Sequence, residues 1–555
     1  MFKSVSELLV FPTGEGLSWL SGSVLIACLV VFSGEPTRGQ TGKDIELRVG
    51  IVQRFGSKPN DQLTLKAKKG ERLIIRFKGN DGQPLTLEAS EVKLEIQKKR
   101  LSAPVIEERV VLGTYRSFEN AEESANQWRA KGIEVEIGQP QRWQVWAKRA
   151  TYSTPLLRRL LLESLRKNGY EIAYLQTNIL KQVPQATLLV KGQRYAREQI
   201  EIMSSAGAIA VIRGKQGEWE RLYEGRLHLQ PNAYGTYTLV NEVPLETYLR
   251  GVVPYEIGAT APYAALEAQA IIARTYALRN LRRFAVDNYQ LCADTECQVY
   301  KGIGETWQQV DRAIANTAGL VLTYQNELVD ALYFSSSGGV TAAFSDMWHG
   351  DERPYLRAVL DSANNIWNLS KQSLAVESNF RRFINLTKGF NGDDWDVFRW
   401  REPSSLAQMN KNLKDYLKEE KHPLANFKTI QDVKVVERAP SGRVLKLAVT
   451  TDIGKVELEK DEILRGFYAP LSTLFYLEPI YQSEKVLWGF AFVGGGFGHG
   501  VGLSQTGAYT LAEKGWSSAR ILGFYYPGTS IQPISEDIAF WREPTLDAIQ
   551  PSTSN

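Results

Sequence analysis

The sequence predicts a multidomain α+β protein. Its 555 residues, 43% hydrophobic and 10% aromatic, are enough to bury several cores, so three or more units are expected. Short alternating apolar runs broken by turn residues recur along the chain and read as strands. Segments with helical spacing stand between them.

Charge narrows the function classes. Lys and Arg number 66 against 62 Asp and Glu, a net +4 with no long basic block or nucleic-acid motif, so nucleic acid is not expected as a partner. An uncharged or small partner fits better.

Residues 1–40 carry Lys3, an apolar run over 23–32, and then Ser33-Gly34-Glu35-Pro36. That run of about ten residues is short of the roughly 20 a spanning helix needs, so a secretory signal or short anchor is expected. Leu25-Ile26-Ala27-Cys28 leaves a lipoprotein open, although the apolar run continues past Cys28. Either way the chain is exported to the periplasm or cell envelope, and it meets a membrane through this segment alone.

A small β-rich unit is expected over 44–100, from runs such as Leu63-Thr64-Leu65 and the turn Gly79-Asn80-Asp81-Gly82. Over 106–175 two β-α-β passes follow one another. The first is Val110 to Tyr115, a helix over 119–131 stopped by Gly132, and a strand over 133–137. The second is Trp143-Gln144-Val145-Trp146, a helix over 156–167, Gly169 and a strand over 170–172. On Gly113-Thr114-Tyr115, Ser117-Phe118, Ala121 and Gly132-Ile133 this module resembles a SPOR domain, which implies binding to peptidoglycan glycan strands stripped of their peptides.

A core begins over 185–361. Its β-rich lead-in delivers the chain to Val252-Val253-Pro254-Tyr255-Glu256, just ahead of an Ala-rich helix in which Leu266, Ala270, Ala273 and Ala277 recur at helical spacing. Small side chains there let neighbours pack closely, so Glu256 stands on rigid support. A carboxylate so held can be a general acid or base if its pocket raises its pKa. On its own, such a Glu is more often a solvated charge.

Beyond it lie Cys292 and Cys297, which can form a disulfide, stay as thiols or give two ligands to zinc; none of His228, His349, His422 or His499 lies nearby in sequence. A helix over 307–318 and strands over 320–324 and 328–334 about a Gln325-Asn326 turn follow, then Ser335-Ser336-Ser337-Gly338-Gly339. Residues 362–488 read as an inserted lobe, helix-prone over 410–421 and strand-like over 427–459 about a turn at Ser441-Gly442-Arg443. The core resumes over 489–535, and 536–555 is a tail. Gly494-Gly495-Gly496-Phe497-Gly498-His499-Gly500 is no dinucleotide fingerprint, because His499 stands where the third glycine would fall. The glycines read as backbone held close to a ligand, with His499 and Gln505 as polar groups on an exposed loop.

Several segments occur together in one order. They are Gly251-Val252-Val253 with Glu256, Ala265-Leu266-Glu267-Ala268-Gln269-Ala270, Ala273-Arg274-Thr275-Tyr276-Ala277 and Cys297-Gln298-Val299-Tyr300-Lys301-Gly302. Ser337-Gly338-Gly339-Val340-Thr341, Pro354-Tyr355-Leu356, Gly498-His499-Gly500-Val501-Gly502 with Ser504-Gln505-Thr506-Gly507-Ala508, and Ile521-Leu522 with Tyr525-Tyr526-Pro527-Gly528-Thr529 complete the set. Together they resemble the stage II sporulation protein D (SpoIID/LytB) family over 240–361 and 488–532.

The resemblance implies a SpoIID-type mixed α/β core and a lytic transglycosylase that cleaves peptidoglycan between N-acetylmuramic acid and N-acetylglucosamine, leaving 1,6-anhydro ends. Glu256 matches the catalytic glutamate. Gln269, Arg274, Ser337, Thr341, His499 and Gln505 would line the glycan groove, and Tyr255, Tyr276 or Tyr300 could stack on sugar rings. Some members bind zinc through a Cys/His cluster matched by 288–298, but Glu296 stands where those members tend to have His, so no metal or other cofactor is expected. Part of the family is described as amidase enhancers, which makes a wall-binding amidase activator the alternative. A hydrolase would need a second carboxylate, with Asp294, Asp361 or Glu267 as candidates.

Overall fold

The computed structural model describes residues 45–541 apart from 215–218, 306, 365 and 485. The N-terminal segment with Cys28 and all but the first residues of the tail lie outside that range. Strand makes up 38% and helix 24%, divided among several sheets, so the molecule is a multidomain α+β protein. No described helix is long and apolar enough to cross a membrane.

Two large sheets organise the N-terminal half. In one, the order runs Leu291–Cys292, Glu46–Phe55, Tyr237–Pro244, Arg226–Pro231, Ile200–Ser204, Leu73–Lys78, Pro84–Ala89. In the other, Trp219–Glu224, Ala208–Arg213, Gln62–Ala67 and Glu91–Tyr115 lead on to Trp143–Ala147 and Val135–Gly138. The expected small unit over 44–100 is therefore corrected: its strands interleave with those of 186–244. Alternation shows that Leu47 and Val49 must be covered, and both are fully buried, but it does not name the covering strand.

The strand Glu91–Tyr115 runs through both bodies. It pairs along most of its 25 residues with Tyr174–Val190, and between the two bodies this ribbon is an exposed arm. At its far end sits the α+β module. Its helix Phe118–Ala130 is capped by Ser117, whose hydroxyl accepts from the Asn120 N–H at 3.3 Å, and its helix Pro155–Lys167 is capped by Thr154. The strand expected at 170–172 begins instead at Tyr174.

The module is not a separate bead. Phe118, Trp143 and Val145 share a hydrophobic cluster with Phe284, Tyr289 and Cys292 of the core. Arg282 grips Glu122 through two bonds of 2.6 and 2.7 Å, and Arg283 meets Glu119 at 2.5 Å.

In the core, the helix Tyr263–Arg279 is buried on nearly every side. Its small residues admit neighbours all round, among them Leu245–Arg250, Gln308–Asn316 and Gln505–Glu513. The turn residues Gln325 and Asn326 both adopt positive φ, 51° and 58°, as a tight hairpin requires. The strand expected to continue to Phe334 is broken, because Tyr333–Phe334 leaves its hairpin to pair in parallel with Leu503–Ser504.

The lobe has its own core around Met409, Leu413, Val433 and Leu447. Its sheet includes Val486–Gly494, so the lobe extends a few residues past the expected boundary at 488. Arg443 of the lobe is fully buried and donates to the Ser337 and Val340 carbonyls at 3.0 Å each, which fastens the lobe to the core.

Candidate functional site

Glu256 lies in a single widened helical turn, Pro254–Gly258, of the π type that recurs at functional sites. Two contacts from the far C-terminal segment hold that turn. Gln505 Nε2 donates to the Glu256 carbonyl at 2.9 Å, and the Tyr509 hydroxyl donates to the Ile257 carbonyl at 2.7 Å. The rigid support expected from the following helix is thus supplied as much by residues about 250 positions away.

The carboxylate of Glu256 faces a cavity of about 530 Å³, within the range of small-molecule sites. The Val299 N–H donates to Glu256 Oε1 at 2.5 Å, and the Tyr333 side chain beside it favours the ionised carboxylate. Burial nevertheless dominates and pushes the pKa up to about 7, while Val299, Tyr333 and the Lys301 ammonium pull it part of the way down. Near neutral pH both protonation states are then accessible. No other carboxylate among the described residues contributes to this shift.

The cavity is assembled from three parts of the chain. The core gives Glu256, Tyr276, Val299, Tyr333, His499 and Gln505; the module gives Arg116, Ser117 and Glu119; the lobe gives Asp461, Leu464 and Arg465. Asp461 is a second acid that burial drives up to about 7, with Glu462 adding to the rise and Arg465 and Arg116 opposing it.

His499 is neutral in this setting. Its Nε2 bonds the Tyr333 carbonyl at 2.9 Å, its Nδ1 accepts from the Val501 N–H at 3.1 Å, and burial lowers its pKa to about 4. Among the glycines around it, Gly496, Gly498 and Gly502 bring backbone against the 332–338 segment, and Gly498 also lines the cavity: at Gly502, with φ of +86°, a Cβ would stand 1.9 Å from the Leu332 carbonyl.

The remaining expected groove residues divide. Gln269 is fully buried behind Glu256 and reaches Gln505 at 3.5 Å. Arg274 is fully buried in a two-bond pair with Glu246, 2.7 Å each, and also donates to the Leu320 carbonyl, so it ties core elements together away from the cavity. Ser337 donates to Asp361 at 2.6 Å, Thr341 accepts from the Val359 N–H at 2.8 Å, and Tyr300 is sealed in the core against Asn241. Tyr255 is partly exposed beside Trp307 and outside the cavity wall. Of the possible second carboxylates, Asp361 and Glu267 lie away from the cavity and Asp294 lines it.

Sequence reasoning missed Tyr333, Asp461 and the Val299 N–H. Tyr333 falls in a strand-like run where nothing marks it, and Asp461 lies in the lobe, far from every core motif.

Cys292 and Cys297 are joined by a disulfide, with Cα atoms 5.6 Å apart. With both sulfurs so used, these residues do not fit a zinc ion, and no described cluster of three or more His, Cys, Asp or Glu is placed to hold a metal. The disulfide closes a loop that carries Asp294, Thr295 and Glu296 along the cavity and delivers Val299 to Glu256.

Comparison with known proteins fits this geometry. Residues 233–324 match the family model described as Stage II sporulation protein (SpoIID), and residues 342–502 match a domain of unknown function (DUF8618). The chain is similar to an amidase enhancer of Bacillus subtilis (strain 168), 32% identical over 301 residues that make up 51% of this chain and 40% of that protein. It therefore spans well under half the length of that relative. An uncharacterized protein of Brachyspira hyodysenteriae (strain ATCC 49526 / WA1) is 28% identical over 309 residues, 53% of this chain and 68% of its own length. Stage II sporulation protein D of Bacillus amyloliquefaciens is 26% identical over 307 residues, 53% of this chain and 75% of that one.

Proposed function

We propose that this chain, whose residues 233–324 are a SpoIID-family domain, acts on the cell wall as an exported lytic transglycosylase with Glu256 as its single acid and base. One observation carries the reading: a partly buried carboxylate with a pKa near 7 opens on a cavity, and no second carboxylate among the described residues contributes to its shift.

The chemistry follows from that state. Protonated Glu256 gives its proton to the glycosidic oxygen as the bond from the muramic acid C1 breaks and positive charge builds on the ring. The sugar's own 6-hydroxyl attacks C1, and its proton passes to the Glu256 carboxylate. The anhydro end forms, no water is consumed, and the residue returns protonated. A hydrolase would need a second group to aim water. Here the nucleophile belongs to the substrate, so one residue near its pKa suffices.

The substrate in this reading is peptidoglycan glycan, reached after export to the envelope. A second reading rests on the relative named amidase enhancer, 32% identical over its matched part: a protein that binds the wall and activates an amidase without cutting glycan itself.

Incubation of the full chain and Glu256→Gln with stripped glycan strands and with intact peptidoglycan, followed by mass analysis of products, separates these readings. Anhydro ends from wild type and none from the variant support the first. Ends heavier by one water overturn it in favour of hydrolysis and direct attention to Asp461. Absence of glycan products from both proteins, together with faster amidase turnover on intact peptidoglycan, supports the second.

A further inference from the structure

A buried hydrogen-bond chain ends at Tyr333, beside Glu256. The buried Tyr248 hydroxyl donates to Gln298 Oε1 at 3.2 Å, and Gln298 Nε2 donates to the Tyr333 hydroxyl at 3.1 Å. A phenol has one proton to give, and with its oxygen accepting from the Gln298 amide, that proton remains available to the neighbouring Glu256 carboxylate, whose ionised form Tyr333 favours. Gln298 is fully buried, so no water competes for its amide from bulk solvent.

The backbone of Tyr333 is held as firmly. Its carbonyl bonds His499 Nε2 at 2.9 Å, and the residue pairs with Leu503 in the short parallel ladder. The side chain lines the same cavity as Glu256.

We propose that Tyr333 is a positioning residue for proton transfer at Glu256, its hydroxyl aimed by Gln298 and Tyr248 so that it steadies the carboxylate formed midway through the reaction. The inference rests on the transglycosylase reading above. Glu256 must pass through its ionised form between protonating the glycosidic oxygen and receiving the 6-hydroxyl proton. Where burial already penalises the charge that form is costly, and donors fixed beforehand recover part of the cost where charge develops. Val299 occupies Oε1, which leaves Oε2 to carry the transferred proton. Tyr333 itself stays protonated, since burial and the nearby Glu256 charge both raise its pKa well above the ordinary value.

Other groups face Glu256 and bear on its titration. Lys301 favours the carboxylate, and Tyr248 and Tyr276 sense its charge. Elsewhere on the cavity wall, Asp461 titrates in the same range, Asp294 is raised by burial, and Arg283 is engaged by Glu119. Glu296, Arg116 and Arg465 complete the charged wall, and His499 stays neutral near pH 7.

The test is the pH dependence of kcat/KM on stripped glycan strands, for the full chain and for Tyr333→Phe, Gln298→Met and Asp461→Asn. Loss of the Tyr333 donor removes support from the carboxylate, so the Glu256 pKa rises and the alkaline limb moves upward by about one pH unit. Gln298→Met moves it less and in the same direction, KM stays near the wild-type value, and Asp461→Asn leaves the limb in place. A limb unmoved in Tyr333→Phe, or one that moves with Asp461→Asn alone, overturns the proposal.

Infrared titration supplies a readout that needs no substrate. The carboxyl band lost in Glu256→Gln should titrate at higher pH in Tyr333→Phe, and an unchanged titration overturns the proposal. Wild type that yields no anhydro ends overturns the underlying reading instead, so the two failures are told apart.

Discussion

The Val299 N–H and the Glu256 carboxylate meet at 2.5 Å across 43 residues of sequence. The contact joins the segment that leaves the disulfide-closed loop to the widened turn. It makes the acidity of Glu256 depend on how that loop is held.

Glu256→Gln should abolish anhydro product formation, a loss of at least about 10²- to 10⁴-fold as expected for removal of a general acid or base. Mass analysis of digested strands checks this.

The same variant should be more stable than wild type in alkali. The folded pKa of Glu256 lies near 7, above the ordinary 4.5 of a free glutamate, so the folded protein binds the extra proton between those values and wild type loses stability as pH rises through them. Above pH 7 the full cost is up to about 3 kcal/mol. Thermal melts should show Glu256→Gln gaining on wild type at pH 8 and not at pH 4.

His499 should tilt stability the other way. Its pKa falls from 6.5 to about 4 on folding, so its contribution is complete above pH 6.5 and is lost as pH falls toward 4. Its imidazole resonances should stay constant between pH 6 and 8 by NMR. A titration near 6.5 in the folded protein would contradict the hydrogen bonds assigned to it.

Arg274→Met should behave as a stability variant. It leaves Glu246 without its partner, at a cost of about 3–5 kcal/mol for a broken buried pair. Denaturant unfolding measures the loss, and glycan binding by the folded fraction should match wild type.

Reducing the Cys292–Cys297 bond should lower stability by about 2 kcal/mol, as expected for a short closed loop. Activity should fall further than stability alone accounts for, because the loop presents Val299 to Glu256. The check is turnover and melting of Cys292→Ser/Cys297→Ser beside the oxidised protein.

Much of this molecule could be read along the chain. Gly132 marks the stop of the module's first helix, and Gln325-Asn326 marks the core hairpin through backbone conformation, while the Ser117 and Thr154 caps emerge only from the structure. Glu256 stood out through the motifs around it. What escaped was set by long-range pairing: nothing local in Leu47 or Val49 names Tyr237–Pro244 as their cover. The same limit explains why Arg274, Ser337 and Thr341 suggested a groove although their partners are internal, and why Tyr333 went unnoticed. Its importance arises from Gln298 and Glu256, which reach it through space.

The pairing of Glu46–Phe55 with Tyr237–Pro244 also has a kinetic side. Glu46 sits opposite Pro244, 198 residues later, with the whole α+β module strung between them. A chain emerging from its N-terminus can assemble that module from neighbouring strands and helices while the first strand still waits for a mate. Such distant closure is slow. Refolding should therefore show Trp128, which packs on Tyr170 within the module, burying in an early phase, with Trp143, which packs on Phe284 of the core, and the Glu256 cavity following in a later one.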